Sequence, residues 1–214
     1  MYRRKIVLYC KRLTIIIALF LLAGCALPKI IAPQDPLNGS EHRRLAAIYE
    51  ERGDFDLAER EYKAALEVEP ESMASYFGLG NLYLKRGKYR QAKGIFTKAL
   101  EINPSSGSIH NNLSWAWLEM GDLDRAEQHV QRALELDPSR RYIYLDTLGV
   151  INTGKGEFDK AEVSFLEALN LLPVYENVGR AEVYTNLIEL YRLWGKSEEA
   201  YYFKQKLIEA KNHE

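Results

Sequence analysis

The chain has 214 residues, with 29 Lys+Arg against 30 Asp+Glu and a formal net charge of −1. Without the five basic residues at its start (Arg3, Arg4, Lys5, Lys11, Arg12), the balance is 24 basic against 30 acidic residues, interspersed as on solvated helix faces. That charge is the opposite of what a nucleic-acid binder carries, so nucleic acid is excluded as the expected partner.

The first element in chain order is a targeting segment. Its basic head contains no acid, an apolar run follows from Leu13 to Ala23, and small residues precede Cys25. This run of eleven residues, all apolar but Thr14, falls short of the ~20 that a bilayer span needs. Basic, apolar and small-residue regions in that order are the layout of a secretory signal, predicted over residues 1–24. Leu22-Ala23-Gly24-Cys25 resembles a bacterial lipobox, which implies cleavage before Cys25 and a lipid on its sulfur. The alternative is a plain membrane anchor, or a spare Cys near a cleaved signal. Cys10 leaves with the signal and lipid blocks Cys25, so the mature chain has no thiol for a disulfide or a cysteine metal site.

Residues 25–38 form a tether carrying Pro28, Pro33 and Pro36. Extended, the stretch after Cys25 reaches ~40 Å at about 3.1 Å per residue. In the alternative, it packs back on the first repeat of the adjoining domain through Leu37.

From residue 39 onward one pattern repeats. In Met73–Ser106, Tyr76, Leu79 and Tyr83 share one helix face and Gly87 ends that helix. Ala92, Phe96 and Ala99 line a second helix, which Pro104 stops. Small Gly80, Ala92 and Ala99 let the two helices approach closely, giving a helix hairpin. The same slots recur near 39–72, 107–141, 142–175 and 181–214, a period of about 34 residues with one extra residue before the fourth copy. Asn152 departs from the pattern, standing where the other copies place Tyr49, Tyr83, Trp117 and Tyr191. The insert Glu176–Arg180 is expected to lengthen the loop before the fifth copy. Lys204 and Asn212 make that copy's second helix the weakest.

These landmarks resemble tetratricopeptide repeats over about 170 of the 214 residues. The resemblance implies an all-α superhelix, an α-solenoid of five helix-turn-helix repeats. A lone hairpin cannot bury its faces, so stability comes from stacking, and the landmark aromatics are core. In such repeats the first helices line a concave groove. The slots that face it fall on Phe77, Asn81, Leu84 and Lys85, on Asn111, Asn112, Trp115 and Leu118, and on Asp146 and Arg192. Trp115 and Trp117 are two apart on one helix and cannot face the same way. With Trp117 in the core slot, Trp115 points to the groove or packs on a neighbouring repeat's second helix. Phe77, Ile143 and Thr147 stand where a chaperone-tail carboxylate clamp needs Lys or Arg, so the implied ligand is an extended or internal peptide segment of a partner protein.

No phosphate-binding glycine loop, His-Glu-x-x-His run or cysteine pair occurs, and His42, His110, His129 and His213 are scattered. No enzyme, metal or cofactor is therefore expected; the alternative is an enzyme whose active site carries no recognisable motif. As a lipid-anchored repeat chain it resembles pilotin-type lipoproteins of type IV pili, which implies a scaffold on the periplasmic side of the outer membrane. It is similar as well to repeat lipoproteins that act as adaptors for periplasmic peptidases and cell-wall enzymes. Tyr201, Tyr202, Phe203, Leu207 and Ile208 give the last helix more apolar surface than one face buries, so it is expected to pair with a second copy or a partner.

Overall fold

The structure, a computed structural model, describes residues 37–173 and 176–211. The expected signal, Cys25 and all but the end of the tether lie outside the described residues.

Among the described residues, ten α-helices follow one another: α1 (Gly39–Glu51), α2 (Phe55–Val68), α3 (Met73–Lys85), α4 (Tyr89–Ile102), α5 (Gly107–Glu119), α6 (Leu123–Leu136), α7 (Arg141–Lys155), α8 (Phe158–Leu171), α9 (Asn177–Leu193) and α10 (Ser197–Lys211). They form five hairpins, as the repeat spacing predicts. A 3₁₀ turn at Pro138–Arg140 takes up the extra residue before the fourth repeat. The array starts cleanly because Asn38 caps α1 in a capping box with Glu41. Each hairpin turn contains a glycine in the left-handed region, such as Gly87 at φ +68°, a conformation that costs a side-chain-bearing residue energy.

Close approach within a hairpin depends on absent side chains. A Cβ on Gly80 would lie 2.2 Å from Cε1 of Phe96, and one on Gly149 would lie 2.5 Å from Cε1 of Phe165. Between repeats, Gly78 makes the same kind of room for Tyr62. Tyr62, Tyr83, Phe96, Phe165, Tyr184 and Tyr191 are buried, while Tyr49, Tyr76 and Trp117 are partly covered at the edges of the core. Burying side chains of this size contributes about 1.5–3 kcal/mol each.

First helices of successive repeats touch one another: α1 with α3, α3 with α5, α5 with α7, α7 with α9. Among the described residues, no two second helices touch. The first helices are thus the inner row.

One expectation is corrected. Asn177–Arg180 do not lengthen a loop; they form the first turn of α9, which has 17 residues where α1, α3 and α5 have 13 each. Arg180 holds that turn down, donating to the Leu169 carbonyl at 3.2 Å and to the Tyr184 hydroxyl at 3.1 Å. Those bonds satisfy the last turn of α8 and make helix cheaper than loop. The second helix of the fifth repeat forms despite Lys204.

Candidate functional site

The inner row carries the residues that the repeat register assigns to a groove, and they fall into two groups. Phe77, Lys85 and Arg192 are exposed; Lys85 lies 5.2 Å over the Phe55 ring, and Arg192 is 4.0 Å from Glu189. Ile143 on α7 and Leu193 on α9 add exposed apolar surface, at 38% and 57%. Leu84 and Leu118 are half-buried against the core.

The second group is tied across repeat boundaries. Asn112 donates its amide to Asn81 Oδ1 at 2.6 Å, linking α5 to α3. The Trp115 indole N–H donates to the Thr147 hydroxyl at 3.2 Å, linking α5 to α7. That hydroxyl in turn donates to the Ile143 carbonyl at 3.2 Å. Asn186 donates to Asp146 Oδ1 at 2.9 Å, linking α9 to α7. Three consecutive boundaries are therefore bridged by polar side chains of first helices. The indole of Trp115 is thus bonded to a neighbouring first helix.

Asn111 does not line an accessible groove. It is 6% exposed, and its Oδ1 has no hydrogen-bond partner in the structure.

Burial, aided by the negative charge of Glu182, pushes the Asp146 carboxyl up to about 6, although the bond from Asn186 pulls the other way. Neither Asn186 nor Glu182 is singled out by sequence reasoning. The signal was present in part: Asn81 and Trp115 occupy the ninth slot of their repeats, and their partners Asn112 and Thr147 occupy the sixth slot of the next.

Trp117, in the core slot, is half-buried between cations rather than fully enclosed. Lys93 Nζ is 4.8 Å and Arg125 Cζ 4.5 Å from its ring centre. The histidines are less scattered than their spacing suggests. His42 is buried against Glu61 at 2.8 Å, and the Nδ1 atoms of His110 and His129 are 3.1 Å apart, with one necessarily donating. Burial lowers the pKa of both imidazoles in the latter pair. Among the described residues, no three His, Cys, Asp or Glu side chains come together in a way that could hold a metal ion. No described helix is long and apolar enough to cross a membrane.

Two family profiles, both described as tetratricopeptide repeat, match residues 39–105 and 83–145, together half of the chain. The chain belongs to the tetratricopeptide-repeat family, a protein-interaction scaffold fold. No curated protein matches the sequence. Among solved structures, it is similar to PilW, a widely conserved type IV pilus biogenesis factor. The TM-score is 0.72 at 22% identity, over 81% of this chain and 78% of that one. A thermophilic repeat protein of Thermus thermophilus matches with TM-score 0.70 at 24% identity, over 80% of this chain and 91% of that one. YrrB, described as having an unusual peptide-binding site, matches with TM-score 0.54 at 23% identity, over 79% and 84%. At these identities the likeness is one of fold.

Proposed function

We propose that this protein is an envelope scaffold, anchored by lipid on Cys25, whose inner row of first helices takes an extended segment of a partner protein. The observation that carries the reading is the inner row itself. Exposed Phe77 and Ile143 offer apolar contact on either side of the Asn81–Asn112 pair, whose remaining amide groups suit a peptide backbone that is costly to desolvate unpaired. The likeness to YrrB supports segment binding, and the likeness to PilW supports a place in type IV pilus biogenesis. The lipobox-like Leu22-Ala23-Gly24-Cys25 supports the anchor. Exposed Tyr201, Tyr202 and Ile208 support a homodimer through α10.

The test is photo-crosslinking in the native envelope, with a benzophenone side chain placed at Phe77, at Ile143 or at Thr97 on α4. Adducts from the first two positions and none from Thr97 are expected. Equal labelling from all three, or none, rejects the groove. Cys25→Ser should move the protein out of the detergent phase; a wild type already in the aqueous phase rejects the anchor.

A further inference from the structure

The repeats share a contact that one of them lacks. At each repeat boundary, the eleventh residue of a repeat stands opposite the twenty-first residue of the preceding one. The Tyr83 hydroxyl donates to Glu59 at 2.9 Å, and the Tyr191 hydroxyl donates to Glu162. Between the second and third repeats the same pair is Trp117 over Lys93, at 4.8 Å. Between the third and fourth it is Asn152 and Glu127, with no ring.

The cations around this contact are retained. Lys155 donates to Glu127 at 2.7 Å and to Asp124 at 2.6 Å. Arg86, at the equivalent position of the second repeat, donates to Glu59 at 2.8 Å and to Asp56 at 2.6 Å. Glu59 accepts the Tyr83 phenol, Arg86 and Lys88 at once, so a carboxylate held this way has capacity for a phenol.

Where the ring is missing, a cleft of about 400 Å³ opens between α6, α7 and α8. Leu148 and Val163 give it apolar walls, Val163 being 63% exposed, and Glu127 and Gln131 stand along one side. Asn152 lines it too, is 3% exposed, and has a buried Oδ1 with no hydrogen-bond partner. Such an acceptor is costly unless something donates to it.

We propose that this cleft is a docking slot for a tyrosine side chain of a partner protein. The ring lies against Leu148 and Val163, and the hydroxyl donates to Glu127, as the chain's own Tyr83 and Tyr191 donate to Glu59 and Glu162 at other boundaries. The slot lies between two second helices and α7, and none of the groove-slot residues lines it.

The probe is N-acetyltyrosinamide, titrated against the full chain in lipid nanodiscs while the methyl resonances of Leu148 and Val163 are followed. Saturable shifts are expected, at least tenfold weaker with N-acetylphenylalaninamide and absent with N-acetylalaninamide. N152Y fills the slot from within: it should abolish the shifts and raise the melting temperature by several degrees. Val163→Glu, at an exposed position, should abolish binding without moving the melt. No saturable shift with the tyrosine probe, equal shifts with the alanine probe, shifts that persist in Val163→Glu, or an N152Y protein that melts below wild type would each overturn the proposal.

Discussion

The indole N–H of Trp115 donates to the Thr147 hydroxyl at 3.2 Å, so a side chain in a groove slot bonds the next repeat. One neutral hydrogen bond contributes about 0.5–1.5 kcal/mol net. Trp115→Phe should therefore lower stability by about 1 kcal/mol, because Thr147 still donates to Ile143. Trp117→Ala removes a ring packed on two parts of the core and held between two cations, and should cost about 3 kcal/mol. Thermal melts of both variants check the order. If Trp115→Phe melts at or below Trp117→Ala, the indole belongs to the stack and not to a ligand.

Asp146 sets a pH dependence. Its carboxyl is raised to about 6 in the folded chain, so the folded state holds the proton more tightly than the unfolded one. Stability should fall as pH rises from near 4 to about 6 and stay level above that. Asp146→Asn should flatten this slope and gain about 1–2 kcal/mol at pH 7, after allowance for solvent screening. Urea melts of both proteins at pH 4, 5, 6 and 7 measure it; parallel slopes in the two proteins would exclude Asp146 as the source.

Gly80 and Gly94 should respond in opposite directions to the same change. Alanine at 80 places a Cβ 2.2 Å from the fully buried Phe96 ring and should cost about 1–3 kcal/mol. Alanine at 94, inside α4 with nothing within 4 Å, should stabilise by about 0.5–1 kcal/mol through helix propensity. Denaturant midpoints of the two variants settle both signs.

The last helix leaves Tyr201, Tyr202 and Ile208 at 64%, 55% and 46% exposure. Light scattering should find wild-type chain in nanodiscs pairing as its concentration rises, and the triple serine variant unpaired with an unchanged melt. A wild type that stays unpaired throughout the range counts against α10 as a self-association surface.

Much of the fold was legible in the sequence because its determinants are local. A glycine at each turn, prolines after second helices and small residues at fixed spacing set the number of hairpins and nearly all helix ends. Even the insert at Glu176–Arg180 departs from its expected loop for a tertiary reason, since Arg180 reaches back to Leu169 and stabilises an extra helical turn. The register also named the helices that form the inner row. It could not say which groove residues would be taken up by one another. Asn81 with Asn112, Trp115 with Thr147 and Asp146 with Asn186 lie 31, 32 and 40 residues apart, and they meet only through the angle at which successive hairpins stack. Asn152 shows the division most plainly. Its departure from the repeat pattern was visible in the sequence, but a missing ring becomes a cleft only if the neighbours do not close over it. The packing of α6, α7 and α8 decides that: it leaves Leu148 and Asn152 lining an open slot with Glu127 at its side.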